Sequence, residues 1–169
     1  MKELINDTIQ KLSDKNTDDE EKANFIEKIA LENVDINALS LYTLGELRNS
    51  TNKDNLIKYQ KVFQQYFLKS LTSRLIDYSS GKFEVISSNK KSSNYTIVKS
   101  KIHGNGNQPE IKIDWRIYTK NSEKPLIRDL IVEGLSLART QKEEFSSILN
   151  SNNNDINILI AQLEEFVKN

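Results

Sequence analysis

The chain has 169 residues, 24 basic and 24 acidic side chains, and a single histidine. Such a length suits one domain with a sizeable core, and 37% hydrophobic residues with a mean hydropathy of -0.60 fit a polar, globular protein. Zero net charge argues against a nucleic-acid binder, the absence of cysteine excludes disulfides, thiolate metal sites and a cysteine nucleophile, and one histidine excludes a multi-histidine metal centre.

At the N-terminus, Glu3, Asn6 and Asp7 interrupt what a secretory signal would need as an apolar run, and no stretch approaches the ~20 apolar residues that span a bilayer. Two expectations stand: a cytosolic protein, or a mature exported form with an added Met1. Ile5, Ile9 and Leu12 share one face of a short amphipathic helix. Asp18, Asp19, Glu20 and Glu21 begin a second helix, where acids face the positive end of the helix dipole. Phe25, Ile26, Ile29 and Ala30 form its apolar face. Asp35 is placed to cap a third segment, and Gly45 allows a neighbour to approach closely.

The strongest helical signal begins at Thr51-x-x-Asp54, a capping-box spacing. Leu56, Tyr59, Phe63, Tyr66, Phe67, Leu71, Leu75 and Tyr78 then run in one stripe to Gly81, a natural stop. At 1.5 Å per residue this helix spans about 40 Å, enough to cross a face of the fold.

The period then changes from helical to two. Ile111, Ile113, Trp115 and Ile117 alternate with polar residues or tyrosine, as in a half-buried strand. Residues 95–102 are rich in strand formers, and the run from His103 to Pro109 is turn chemistry, so the two segments form an antiparallel hairpin. Residues 83–86 and 126–132 complete about four strands. Helix returns at Thr140-x-x-Glu143, and Asp155 is placed to cap a last helix carrying Leu159, Leu163 and Phe166. Runs of each element type, not alternation, indicate an α+β fold with helices packed on an antiparallel sheet. It is read as one domain: helical over 1–80, sheet over 83–133 and helical over 136–168.

Little catalytic chemistry is on offer. His103 sits in a turn with no orienting group beside it in the sequence. Asp114 and Asp129 lie on or beside strands and could pair, but a carboxylate dyad works only where its environment separates the two pKa values. From residue 85 to 109 there is no acid, while Lys90, Lys91, Lys99 and Lys101 are present. That run reads either as a surface for phosphate head groups or an acidic partner, or as lysines guarding an exposed strand edge. The aromatic stripe of the long helix reads as core, with a cavity wall as the alternative.

Residues 34–85, with VDINALSLYTLGELRN followed by YQKVFQQYFLKSLTSRLIDYSSGKFEV, resemble the MlaC, or toluene-tolerance, family of periplasmic phospholipid-binding proteins. The likeness resumes at residues 111–116 and is sharpest at Asp129-Leu130-Ile131-Val132-Glu133-Gly134-Leu135-Ser136, where the D-x-x-x-E-G-x-S pattern is intact. Pro125 and Arg128 depart from it, standing where the family commonly has Trp and Tyr. The resemblance implies an α+β fold enclosing an apolar lipid pocket, and a non-enzymatic periplasmic carrier in Gram-negative bacteria. Such a carrier moves phospholipid between an inner-membrane ABC transporter with MCE domains and an outer-membrane lipoprotein–porin complex. It implies phospholipid as cargo and no cofactor, and it favours the mature-form reading of the N-terminus.

On that basis the expected lipid-binding residues are Phe63, Phe67, Leu71 and Leu75 from the long helix, and Val98, Ile113, Trp115, Ile117, Leu130 and Val132 from the sheet. Leu71→Arg is expected to abolish lipid retention while leaving the fold largely intact. Both sides of residues 95–102 and 126–132 carry apolar side chains, so the sequence leaves their facing open. An interaction module that holds a partner helix, and a pocket enzyme using Asp114 or Asp129, stand as alternatives.

Overall fold

The computed structural model describes residues 11, 14, 16–77, 82–104 and 109–169 of the chain. The N-terminal amphipathic helix (Ile5, Ile9, Leu12), Tyr78, Gly81 and most of the turn after His103 lie outside the described residues, as does the side chain of Leu75. Helices α1 (Asp19–Asn33), α2 (Ile36–Leu44), α3 (Leu47–Ser50) and α4 (Lys53–Asp77) come first. Five strands follow: β1 (Lys82–Lys90), β2 (Tyr95–His103), β3 (Ile111–Tyr118), β4 (Leu126–Val132) and β5 (Leu135–Ser136). The chain closes with α5 (Leu137–Ser151) and α6 (Ile156–Lys168).

Local chemistry explains most boundaries. Asp18 caps α1 by accepting from the Glu21 amide at 2.8 Å, Asp35 caps α2 through the Ala38 amide at 3.1 Å, and Asp155 caps α6 through the Asn157 amide at 2.9 Å. Gly45, at φ +57°, ends α2, and a Cβ there would lie 3.3 Å from Lys142 Cε, so the position serves both the turn and a close approach. Two expected caps move. The residue before α4 is Asn52, whose Oδ1 accepts from the Asn55 amide at 2.9 Å, while the Thr51 hydroxyl turns back to the Leu47 carbonyl at 2.7 Å and closes α3. Likewise Ser136, not Thr140, caps α5, accepting from the Arg139 amide at 3.0 Å. In both cases a nearby short polar residue is better placed: Asn52 directly after Thr51, and Ser136 four positions before Thr140.

The sheet is an antiparallel meander in the order β1-β2-β3-β4-β5. Bulges interrupt the ladders at Val85/Ser87 and Arg116/Ile117, and each adds local twist and bend. The fifth strand, absent from the sequence reading, follows a tight turn at Glu133 (φ 49°) and Gly134 (φ 82°). Two positive φ values in succession give the turn geometry that joins adjacent antiparallel strands.

The apolar interior falls into two clusters. The helical one gathers Tyr59, Val62, Phe63 and Leu68 of α4 with Leu39, Leu44, Phe145, Leu149, Leu159, Ile160 and Leu163. Phe63 is its hub: its ring stacks on Phe67 at 6.2 Å and meets Phe145 edge-on at 6.2 Å. The long helix therefore packs chiefly against α1, α2 and α6, where the sequence reading had it crossing a face of the fold. The second cluster, Val98, Ile117 and Ile127, sits on the sheet with Phe83, Val85, Trp115 and Leu130 packed around it. Val34 touches both.

Candidate functional site

Cross-strand partners in an antiparallel ladder share a face, so the register settles which side chains lie together. Three adjacent rows run across β2, β3 and β4: Thr96–Ile117–Ile127, Val98–Trp115–Leu130 and Ser100–Ile113–Val132. All six expected sheet residues stand on this one face, which β1 extends through Phe83 and Val85. Val98 and Ile117 are buried to 3% and 2% exposure, whereas Trp115, Leu130 and Val132 are half-buried. Phe83, Val85, Ile102 and Ile111 belong to the same face and were missed as lining candidates, although the two-residue alternation carries the signal.

The polar atoms on this face answer one another. The Ser100 hydroxyl donates to the Ile113 carbonyl at 2.9 Å and accepts from the Trp115 indole N–H at 2.7 Å. The indole thus presents its ring, edge-on to Phe83 at 6.2 Å, without an open donor. The result is an apolar wall offering dispersion and little hydrogen bonding.

The expected helical residues divide differently. Phe63 is 2% exposed inside the helical core, and Phe67 and Leu71 pack against that same core. An arginine at Leu71 would therefore disturb the core as well as any lipid site. Hydroxyls nearby are satisfied internally: Tyr59 with Thr43 at 2.7 Å, Tyr66 to Gln141 at 2.7 Å, and Thr72 to the Leu68 carbonyl at 2.9 Å. Burial raises the Tyr59 phenol above its ordinary pKa, against the hydrogen bond with Thr43, and burial with the nearby Glu144 charge raises Tyr66. Both stay neutral.

The two aspartates that could have formed a dyad hold other posts. Asp129, 8% exposed, accepts from the Ser136 hydroxyl at 2.6 Å and from the Ala138 amide at 3.0 Å, clamping the start of α5 to β4. Glu133 accepts from the Lys112 amide and donates its own amide to the Lys112 carbonyl at 3.0 Å. With Gly134 making the turn and Ser136 the cap, the whole D-x-x-x-E-G-x-S run is a structural clasp. Asp114 reaches Lys99 at 4.0 Å. Asp129→Ala should lower stability by about 2 kcal/mol, because two half-buried donors lose a buried, charged acceptor; urea denaturation measures it, with Asp129→Asn falling between variant and wild type.

Arg128, one of the departures from the family pattern, joins the two layers. Its guanidinium holds Asp35 through Nε at 2.9 Å and Nη2 at 2.8 Å, reaches the Tyr95 hydroxyl at 3.2 Å and lies 3.7 Å over the Tyr118 ring. Beside it, Val34 bridges Ile127 and the Asp35 amide donates to the Ile127 carbonyl at 2.9 Å. These ties and the Asp129 clasp all lie on the β4 side of the sheet.

His103 proves to have company that its sequence neighbours did not reveal. Its Nε2 lies 2.8 Å from Glu84, and Lys101 lies 3.6 Å from Glu84 and 3.4 Å from Glu110. The hydrogen bond with His103, then the Lys101 charge, pull the Glu84 carboxyl below its ordinary pKa of 4.5. A depressed carboxylate pKa stabilises the fold above the unfolded value and loses that contribution as pH falls through the folded one. Below about pH 4.5, wild type should therefore lose stability more steeply than Glu84→Gln, as chemical denaturation across pH 3–6 would show. The effect is small, since Glu84 is exposed.

Elsewhere, a groove of ≈ 610 Å³ between α2 and α5 is lined by Tyr42, Arg139, Lys142, Glu143 and several serines. Its polarity is wrong for acyl chains. Among the described residues no group of His, Asp and Glu side chains could hold a metal ion, and no helix is long and apolar enough to cross a membrane.

A family profile described as MlaC protein matches residues 2–165. No curated protein sequence matches the chain. Among solved structures, the phospholipid-binding protein from Ralstonia solanacearum, determined in complex with a phospholipid, superposes with a TM-score of 0.80 at 14% identity, covering 99% of this chain and 94% of that one. At that identity the likeness is one of fold.

Proposed function

The chain belongs to the MlaC family, and from that premise we propose that it is a non-enzymatic carrier of phospholipid. It works in the periplasm, taking lipid from one membrane complex and giving it to another: an inner-membrane ABC transporter with MCE domains and an outer-membrane lipoprotein–porin assembly. No cofactor takes part.

The observation that carries this reading is the inner sheet face. Three rows of side chains, apolar but for Thr96 and Ser100 and with their one indole N–H already bonded to Ser100, form a wall suited to acyl chains. A protein of the same fold holds a phospholipid. Energetics favour such a wall over polar capture. Two acyl chains carry about 30 methylenes, and at roughly 0.8 kcal/mol each their exposure to water costs on the order of 25 kcal/mol. A carrier therefore matches the bilayer's apolarity, so that transfer is nearly thermoneutral and direction comes from its partners. Asp114 and Asp129, the residues an enzyme reading would need, are engaged with Lys99 and with the start of α5.

Native mass spectrometry of the purified protein, with organic extraction and uptake of labelled phospholipid from donor vesicles, tests the proposal. A releasable mass increment identified as phospholipid, or uptake by the stripped protein, is expected. Protein that purifies empty and refuses lipid from vesicles would overturn it and leave the helix-binding module as the reading to pursue.

A further inference from the structure

The sheet's two ends differ in charge. At the end where β2 finishes, Glu84, Lys101, His103 and Glu110 pair among themselves, and Lys99 pairs with Asp114 just inside. At the opposite end the turn over 91–94 lies beside the turn over 119–125, joined by the Thr119 amide donating to the Asn94 carbonyl at 2.7 Å. There Lys90, Lys91, Arg116, Lys120 and Lys124 are all exposed, and none forms an ion pair among the described residues. Glu123 is the single carboxylate in those two turns. In a chain of zero net charge, this is a marked local excess.

The pad has a rigid base. Tyr95 and Tyr118 meet edge to face at 5.3 Å, Arg116 lies 5.0 Å over the Tyr95 ring, and Arg128 fixes both tyrosines from β4. Tyrosine and arginine held in place before binding lose little freedom on association, which is why they dominate protein interfaces. We propose that this end of the sheet is a docking surface for an acidic face of a protein partner.

A membrane surface suits it less well. None of the large exposed apolar side chains among the described residues (Leu31, Tyr42, Ile57, Ile86, Leu135, Phe166) lies in either turn, so the pad lacks a group to insert among lipid chains. The inference deepens the carrier reading and rests on it for the need to dock; the partner's chemistry comes from the charges alone.

The test uses the full chain, labelled with ¹⁵N and titrated with a decapeptide of alternating Glu and Ser, and separately with phosphatidylglycerol vesicles. Peptide-induced shifts should concentrate over 90–95 and 116–124. The triple variant Lys91→Glu, Lys120→Glu, Lys124→Glu should bind the peptide at least tenfold more weakly, and so should wild type in raised salt. That variant should take up labelled phospholipid as wild type does. Shifts scattered over the surface, affinity indifferent to the charge reversal, or vesicles binding the pad where the peptide does not, would each overturn the docking proposal. Failure of wild type to take up phospholipid would instead sink the carrier reading and leave the pad result standing.

Discussion

Replacing Phe63 with alanine should lower stability by about 3–5 kcal/mol, the range for an aromatic ring removed from a packed core. The ring is 2% exposed and packs on Tyr59, Tyr66, Phe67 and Phe145. Those neighbours belong to α4 and α5, two helices anchored through other contacts, so the hole cannot close by a simple shift. For a domain of this size each kcal/mol moves the melting midpoint by about 2–4 °C, and calorimetry should find a fall of at least about 6 °C. A loss under about 1 kcal/mol would mean that the cluster refills the space and that Phe63 is not its hub. Because the ring lies in the helical core, uptake of lipid per folded molecule should suffer less than the stability does.

The largest functional effect is expected from Leu130→Arg. Leu130 stands in the central row of the inner face, opposite Trp115, and is half-buried. An arginine there puts a charge against the wall proposed to hold acyl chains, while its long stem can carry the guanidinium toward water. Uptake of labelled phospholipid from vesicles should fall at least tenfold with little change in the melting midpoint. Ile131→Arg is the control. One residue along, Ile131 pairs with Asp114 and Ser136 and points to the other face; strand geometry reverses successive side chains. That variant should keep its uptake. If Leu130→Arg binds lipid normally, or if both variants lose it alike, the inner face is not the lipid wall.

Much of the architecture was legible because periodicity reports burial directly. The alternation from Ile111 to Ile117 marked a strand that spans Ile111–Tyr118, and the aromatic stripe marked the helix Lys53–Asp77. Asp35 and Asp155 were read correctly as caps because a short acid before an apolar run has few other uses. What periodicity does not report is the partner. It says that Phe63 faces inward, not that it meets Phe145 of α5 rather than the sheet, and so the two-cluster interior stayed hidden. The facing of Val98 and Leu130 needed the register, which long-range pairing sets. The short strand β5 stayed hidden because the two residues that follow the turn at Glu133 and Gly134 carry no period. His103 was misjudged for the same reason: Glu84 lies 19 positions away in the chain and 2.8 Å away in space.

The strict neighbour-to-neighbour strand order has a consequence for how the chain assembles. Every pairing closes a short hairpin, so the sheet can zip with little loop-closure entropy. The helical contacts are the opposite kind: Tyr66 to Gln141 spans 75 residues and Lys69 to the Phe166 carbonyl spans 97. Four strand spacings of roughly 4.8 Å put the two edges of the finished sheet about 19 Å apart. A formed meander is thus a splint that holds the early and late helical segments within reach of each other.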